Sequence, residues 1–281
     1  MTEDPDRADR AQAAHWNSRG GSAWVDLQDL MNGVLEPFER LLVEAARAVG
    51  GGRALDVGCG AGATTRAIAR ELGAAAECVG VDVSERMVAA ARERARAEGV
   101  AARFVVADAE THEFDPGGFD LIASRFGVMF FDRPEAAFAN LRRAAAEGAA
   151  MRLVAWRGPE ENPFMTTAER AAAPFGLGIP PRAPDRPGQF GMADGDRVGR
   201  ILAGAGWDRV EVAPLDVTCS FAERDLVRYF TRLGPVGQAL DGVDEATFER
   251  VVETVRPAFG PYVHGDEVRF DAACWLIDAR A

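Results

Sequence analysis

Three glycines in alternation, Gly58, Gly60 and Gly62, follow directly on a short apolar run, 54–57. Glycine lets the backbone turn sharply and lets a ligand lie against it without meeting a Cβ atom. A helical pattern then runs to Gly73, a residue type common just past helix ends. The segment therefore predicts a strand, a tight turn and a helix whose first N–H groups are free to face a ligand.

Three acidic residues, Asp56, Asp82 and Asp108, each stand at the end of an apolar run that reads as a strand. Ligands of open α/β sheets bind at the carboxyl ends of the strands. A carboxylate at Asp56 would repel a pyrophosphate and would suit a cationic group. Asp82 follows Gly58 by close to the ~20 residues that place an acid over a ribose. Asp108 can accept a hydrogen bond from the 6-amino group of adenine.

The glycines alone do not choose between two cofactor classes, because Gly58, Gly60 and Ala63 also fit the dinucleotide pattern G-x-G-x-x-G/A. Together with Asp56, however, the stretch 54–65 resembles the glycine-rich motif of the class I S-adenosylmethionine-dependent methyltransferases. The resemblance spans roughly residues 11–156 and is to small-molecule enzymes related to the ubiquinone/menaquinone methyltransferases. It implies S-adenosylmethionine as the cofactor.

The order of strand and helix patterns predicts an α/β protein with a Rossmann-like, doubly wound, seven-stranded sheet, an antiparallel last strand and helical cap insertions. Apolar spacing predicts helices near Val25–Met31 and over Glu36–Val49, and strands over Val210–Val217 and Phe270–Ala279. The segments expected are N-terminal helices covering the cofactor site (1–50), the cofactor-binding core (51–156), a cap insertion (157–192), a core continuation (193–221), a helical lid (222–265) and the last core strand (266–281).

The resemblance also implies which residues contact the cofactor. An aromatic side chain of the N-terminal segment is expected to cover it, and the residues after the fourth strand are expected to pass over its methionine part. The expected contacts are Trp24, Asp56, Gly58, Cys59, Gly60, Ala61, Asp82, Val83, Met87, Asp108, Ala109, Ser124 and Arg125.

Apolar residues after the fourth strand and in the cap insertion predict the wall against which a small, largely apolar acceptor lies. These candidates are Phe126, Met129, Phe130 and Phe164. No catalytic residue is assigned. His15, His112 and His264 are dispersed, the chain has no lysine, and no nucleophile motif is present. We therefore expect in-line methyl transfer that depends on positioning rather than on a protein base.

Bulk composition narrows the class of protein further. A net charge of −12 disfavours nucleic acid as the main partner, because phosphate binding needs a basic surface. Four dispersed cysteines without zinc-ligand spacing predict reduced thiols and no metal site. No signal peptide or apolar run of about 18 residues is found, so we expect a cytoplasmic protein without a membrane span. The oligomeric state stays open, with a homodimer as one possibility.

Two other functions remain open at this point. A nicotinamide-dependent oxidoreductase is disfavoured by Asp56, by Asp108 and by the absence of a Tyr-x-x-x-Lys pair. A protein that binds S-adenosylmethionine without turnover is the alternative from a different functional class. A turnover assay would separate it from a methyltransferase.

Overall fold

The computed structural model describes residues 16, 19–182 and 186–281. The strands are β1 (Arg53–Val57), β2 (Glu77–Asp82), β3 (Arg103–Val106), β4 (Phe119–Arg125), β5 (Ala145–Trp156), β6 (Asp208–Ala222), β7 (Val263–His264) and β8 (Glu267–Arg280). The helices are α1 (Arg19–Asp26), α2 (Gln28–Val49), α3 (Ala63–Leu72), α4 (Glu85–Ala97), α5 (Pro134–Ala144), α6 (Pro163–Ala172), α7 (Gly195–Gly204), α8 (Leu226–Arg232), α9 (Gly234–Ala239) and α10 (Glu245–Ala258).

The main sheet has the strand order β3-β2-β1-β4-β5-β8-β6, and β7 pairs with β8 beside this path. The first five strands of that order are parallel, whereas β8 is antiparallel to both β5 and β6. The predicted doubly wound, seven-stranded sheet with an antiparallel last strand is confirmed. Strand order reverses between β1 and β4, which is where an open α/β sheet offers a crevice to a ligand.

Alternation along the strands buries both faces of the sheet. Leu55 and Val57 belong to one hydrophobic cluster, whereas Ala54 belongs to another together with Cys78 and Ala123. Apolar residues of α5 and α7 join the first cluster, and residues of α2 and α3 join the second. Since both faces are covered by helices, the ends of the strands are what the sheet presents to a small molecule.

Capping contacts fix two helix ends, and the one at Gly73 was predicted from the sequence. The Ser84 hydroxyl accepts from the Met87 N–H at 3.4 Å at the start of α4, as a side-chain N-cap does. The Gly73 N–H donates to the Ala69 carbonyl at the end of α3. Both helices begin at the edge of the sheet where β1 and β2 end, so their N-termini flank the reversal point.

The N-terminal helices differ from the prediction. We expected one helix to end near Met31 and another to begin at Glu36, but α2 runs unbroken from Gln28 to Val49 with Pro37 inside it. A proline ring clashes with the carbonyl four residues earlier and leaves it without a donor. Burial of Phe38 and Leu42 against the sheet outweighs that local cost, and tertiary packing decides the helix length.

The last two long strands extend beyond the rest of the sheet. β5 pairs with β8 only over 274–280, whereas β6 pairs with β8 along its whole length. The paired segments 216–222 and 267–273 therefore form a two-stranded extension, here called the distal ribbon. We predicted neither its length nor β7, which lies within the segment 222–265 that was expected to be helical. The signal was the period-2 alternation at 217–221 and 268–270.

Candidate cofactor and acceptor site

The glycine loop is fixed by backbone contacts at the reversal point. The N–H groups of Gly58 and Cys59 both donate to the Val81 carbonyl, at 2.9 and 3.0 Å. Gly58 has φ +67°, and a Cβ there would lie 2.5 Å from the Gly127 Cα. Only glycine permits the loop after β1 to approach the loop after β4 so closely. The two loops together form the floor of a crevice.

Asp82 holds the glycine loop in place from the end of β2. Its Oδ2 accepts from the Gly60 N–H at 2.8 Å, and its Oδ1 accepts from the Ser84 N–H at 2.9 Å. Burial raises the pKa of this carboxyl, while the two N–H donors oppose the shift. A carboxylate has about four acceptor positions, so each oxygen can still accept one more hydrogen bond. Asp82 can thus organise the loop and bind a pair of hydroxyls.

Asp56 carries a buried oxygen that has no partner. The Thr65 hydroxyl donates to Oδ2 at 2.6 Å, but Oδ1 has no hydrogen-bond partner within the part of the chain that the structure describes. Burial raises the pKa of Asp56 to about 7, against the opposing influence of Thr65 and of the Arg125 charge. Arg125 is itself held by the Leu35 carbonyl and by Glu39, at 3.3 and 3.7 Å. An unpartnered buried carboxylate oxygen is costly unless a ligand donates to it.

The turn after β3 contains two acidic side chains that accept hydrogen bonds from the backbone. Asp108 Oδ1 accepts from the Glu110 N–H at 2.8 Å. The Glu110 carboxylate in turn accepts from the backbone N–H groups of Asp132 and Arg133, at the start of α5. Burial raises the pKa of Glu110 to about 7. Glu110 was missed by the sequence analysis, because nothing in its neighbourhood along the chain indicates that it binds the start of a helix.

Aromatic rings of the N-terminal segment lie across the mouth of the crevice. Trp16 makes edge contacts with Trp24 and Phe130, with ring centroids 6.4 and 5.0 Å apart. The Ser84 hydroxyl donates to the Trp16 carbonyl at 3.0 Å, which ties this segment to the start of α4. Trp16 and Trp24 both line the cavity described below, and the covering role of residues 1–50 stays a prediction.

These elements enclose a cavity of about 810 Å³. Pockets for small molecules commonly measure about 300–1,000 Å³, so there is room for a cofactor and a second molecule. The cavity is lined by all four predicted acceptor residues and by twelve of the predicted cofactor residues: Trp24, Asp56, Gly58, Cys59, Gly60, Ala61, Asp82, Val83, Met87, Asp108, Ala109 and Arg125.

Ser124 is the one predicted cofactor residue that does not line the cavity. Its side chain is completely buried. The hydroxyl donates to the Val57 carbonyl at 2.7 Å and accepts from the Gly127 N–H at 3.2 Å. Ser124 therefore joins the loop after β1 to the loop after β4. The structure gives its side chain a bracing position behind the cavity wall.

Aromatic side chains from several elements also line the cavity, and here they are called its aromatic part. Phe164 of α6 stacks on Phe270 of the distal ribbon, with ring centroids 3.9 Å apart. Phe126 stacks on Trp156 at 4.2 Å and has φ +63°, a conformation that non-glycine residues rarely adopt. Such backbone strain is concentrated at functional sites. Sequence reasoning missed Phe270, Tyr229 and Phe259 as lining residues, because they come from elements far apart in the chain.

The two histidines within the described residues lie away from the cavity. His112 makes an edge contact with the Phe114 ring at 4.7 Å, and His264 lies exposed in β7. Neither lines the cavity. His15 lies outside the described residues. Over the same residues there is no group of histidine, cysteine or acidic side chains arranged to hold a metal ion.

We expect His112→Ala and His264→Ala each to keep turnover within about tenfold, or ~1.4 kcal/mol in the barrier. Neither ring lines the cavity, so neither faces a bound acceptor from which it could take a proton. Transfer of a radiolabelled methyl group, measured at saturating cofactor, tests both variants. A drop of 10²–10⁴ in kcat with unchanged cofactor affinity would identify a general base and contradict positioning without one.

The strand order, the glycine loop and the acids at the carboxyl edge define the class I S-adenosylmethionine-dependent methyltransferase fold. Residues 54–148 match the family model described as a methyltransferase domain. This part of the chain therefore resembles a methyltransferase domain, which agrees with the class expected from the sequence. Across the described residues, the structure has no helix both long and apolar enough to cross a membrane.

Relatives of known name agree with this class. Ubiquinone/menaquinone biosynthesis C-methyltransferase UbiE of Burkholderia mallei is 30% identical over 123 residues, which are 43% of this chain and 51% of that protein. The chain therefore matches only about half the length of this relative. Among solved structures, magnesium protoporphyrin IX methyltransferase of Synechocystis has a TM-score of 0.57 at 14% identity and covers 98% of this chain and 100% of its own.

The same fold also carries other chemistry. The [4+2]-cyclase SpnF has a TM-score of 0.54 at 20% identity and covers 87% of this chain and 79% of its own. Likeness at this level of identity establishes the fold alone. The reaction of the present chain must therefore be argued from its own site.

Proposed function

We propose that this protein is an S-adenosylmethionine-dependent methyltransferase that acts on a small, largely apolar acceptor. The observation that carries the proposal is the unpartnered Oδ1 of Asp56, buried at the end of β1 in the wall of the cavity. Two further buried atoms of the same wall, Gln28 Oε1 and Thr64 Oγ1, also have no partner in the described ranges, 16, 19–182 and 186–281. A ligand with an ammonium group and other polar atoms would satisfy all three.

The remaining cofactor residues fit the other parts of the same ligand. Asp82 is free to accept from two ribose hydroxyls while it holds Gly60 and Ser84. Asp108 stands where an adenine amino group can donate, with Met87 and Ala109 as apolar neighbours. Gly60 leaves open space beside the backbone, since a Cβ there would meet only the Met87 Sδ, at 3.6 Å. The residues present therefore fit S-adenosylmethionine.

Bound S-adenosylmethionine supplies a methyl group that is already activated, because the sulfonium leaves as a neutral thioether. The chain's own contribution is to hold the acceptor in line with that methyl group and to exclude water. Positioning of two reactants is worth about 7–11 kcal/mol of a barrier. Phe126, Met129, Phe130 and Phe164 suit this task, because apolar side chains orient and dehydrate an acceptor without exchanging protons.

The two alternatives account less well for the site. A nicotinamide dinucleotide would place its pyrophosphate on the glycine loop, within reach of the Asp56 charge. A protein that binds the cofactor without turnover needs no room for a second molecule, yet the cavity of about 810 Å³ has that room and is also lined by aromatic side chains. We also propose a cytoplasmic location, in keeping with four buried cysteines that form no disulfide.

Titration calorimetry with S-adenosylmethionine, its demethylated product and NAD tests the proposal. We expect saturable binding of the first two and none of NAD. Asp82→Ala should weaken cofactor affinity by about tenfold or more, because a hydrogen bond to a charged acceptor contributes about 1.5–3 kcal/mol. Glu77→Ala, at the other end of the same strand, is the control and should bind normally. Binding of NAD alone would overturn the assignment.

A further inference from the structure

The aromatic part of the cavity contains charged residues that already neutralise one another. Arg182 forms a bidentate ion pair with Glu169, in which Nε lies 3.0 Å from Oε2. Arg182 Nη1 also donates to Gln189 Oε1 at 3.3 Å, and Gln189 Nε2 contacts Met165 Sδ at 3.0 Å. The polar groups of these side chains are therefore paired with one another in the cavity wall. Arg182 and Glu169 thus offer little binding capacity for a charged group on an acceptor.

Tyr229 differs from that wall. It lines the cavity from α8, and its ring is held between Phe164 and Phe221, with centroids 5.6 and 5.2 Å away. Its hydroxyl has no hydrogen-bond partner among the described residues, and its oxygen is not among the atoms sealed from solvent. The ring is fixed by packing, and Tyr229 lines the cavity with a hydroxyl whose hydrogen-bonding capacity is not used by the described residues.

The environment of Tyr229 determines what its hydroxyl can bind. Burial raises the pKa of Tyr229 well above the usual value, and the nearby Cys219 thiol acts in the same direction. The group therefore stays protonated at every working pH and is available as a hydrogen-bond donor. A neutral donor within an apolar wall favours a neutral oxygen as its partner, because an ion would lose its hydration without a compensating charge.

The helix that carries Tyr229 is anchored to the helix that covers the cofactor side. Arg228 Nη2 donates to the Asp26 carbonyl at 2.8 Å, and Arg232 Nη2 lies 3.0 Å from Asp26 Oδ2. Asp26 is the last residue of α1, which also carries Trp24. The position of the Tyr229 hydroxyl is thereby fixed relative to the cofactor half, as an orienting contact for an acceptor requires.

We propose that Tyr229 selects and orients the acceptor by donating a hydrogen bond to a neutral oxygen on an aromatic molecule. The proposal rests on the proposed function for the location of the reaction, and it adds a specificity residue outside the 54–148 domain. A carbonyl, ether or phenolic hydroxyl oxygen meets the requirement. A carboxylate or phosphate in that position does not.

Two matched probes and two matched variants test this proposal. 2-Acetylnaphthalene carries one neutral acceptor oxygen, and 2-ethylnaphthalene has nearly the same shape without it. Tyr229→Phe removes the proposed donor. Tyr262→Phe removes the hydroxyl from the chain's other tyrosine, whose ring also contacts Phe164, at 5.0 Å, but does not line the cavity. Equilibrium dialysis, with and without the demethylated cofactor, gives the dissociation constants.

We expect wild type and Tyr262→Phe to bind the ketone alike. Tyr229→Phe should raise the dissociation constant of the ketone by about threefold to tenfold, the range of a neutral hydrogen bond. Its affinity for the hydrocarbon should stay within twofold. Equal losses for both probes, equal affinity in wild type and Tyr229→Phe, or no binding of the ketone to wild type would overturn the proposal.

The experiments distinguish a failure of the Tyr229 proposal from a failure of the proposed function. Failure of cofactor binding in calorimetry would overturn the methyltransferase proposal, whereas the ratio of the two probe affinities is measured without the cofactor. Conversely, normal cofactor binding with an unchanged ratio in Tyr229→Phe would remove the role of Tyr229 alone.

Discussion

Gly60→Val should weaken cofactor binding by a factor on the order of a thousand while the protein stays folded. A Cβ at this position meets only the Met87 Sδ, at 3.6 Å, so the substitution does not collide with the rest of the protein. The new side chain instead fills space next to the backbone that we assign to the cofactor. Titration calorimetry with S-adenosylmethionine measures the loss, and methyl transfer should fall in parallel.

Backbone strain is the competing explanation for such a loss, and Gly99→Val controls for it. Gly60 and Gly99 have φ of +53° and +64°, so valine is strained at both, by about 1–2 kcal/mol or more. Nothing lies within 4 Å of a Cβ at Gly99, which follows α4 away from the cavity. The two variants should lose similar thermal stability, but Gly99→Val should bind the cofactor normally. Cofactor affinity within tenfold of wild type in Gly60→Val would contradict the placement of the ligand.

Asp56 predicts a pH dependence of cofactor affinity. Its pKa of about 7 means that the carboxyl is largely protonated at pH 6 and charged at pH 8. An ammonium group on the ligand needs the charged form, so the dissociation constant at pH 6 should exceed that at pH 8 by about tenfold, the change expected one pH unit below the pKa. Calorimetry in buffers of different ionisation enthalpy should show proton release on binding at pH 6.

Asp56→Asn should abolish most of this pH dependence and weaken binding at pH 8 by a factor on the order of one hundred. Loss of one partner from a buried ion pair costs about 3–5 kcal/mol, which allows an effect of that size. Glu110→Gln is the matched control, because burial raises the pKa of Glu110 to about 7 in the same cavity. It should keep the pH profile of wild type. If the cofactor affinity of wild type did not change with pH, Asp56 would not be the residue that binds the cationic part of the ligand.

The stability of the cofactor-free protein should decrease as the pH rises, whereas its affinity for the cofactor should increase. A carboxyl whose pKa is raised by folding binds its proton more tightly in the folded state. The contribution of Asp56 and Glu110 to stability is thus fully present below their unfolded pKa values near 4 and is lost as the pH rises to about 7. When the cofactor is bound, the contribution of Asp56 to stability should instead increase with pH, because the ligand binds the charged carboxylate.

Local sequence signals indicated the glycine loop and the three acids proposed to bind the cofactor, because each of them directly follows or ends a strand pattern. The loop 58–62 and the acids Asp56, Asp82 and Asp108 lie at strand ends that a parallel sheet must bring to one edge. Periodicity and turn residues were sufficient to find those ends. Their detailed roles required coordinates, since nothing in the sequence shows that Asp82 accepts from the Gly60 N–H or that the Ser124 hydroxyl faces Val57.

The acceptor half was predicted less completely, because it is formed by residues that are distant along the chain. Phe164 was expected to line it, but its stacking partner Phe270 is more than one hundred residues away and lies on the distal ribbon. Tyr229 was not among the predicted site residues. The unbroken α2 shows the same limitation, because local apolar spacing indicated two helices where packing against the sheet maintains one.

The distal ribbon has a consequence for how this protein can diversify. It supplies Phe270 to the acceptor wall and supports Phe164 of α6, and both lie outside the matched domain, 54–148. The glycine loop and the three acids lie within that domain, and so do Phe126, Met129 and Phe130 of the proposed acceptor wall. Substitutions at Phe164 or Phe270 can therefore change part of that wall without altering the glycine loop. Sequence likeness within the domain consequently describes only part of the proposed acceptor wall.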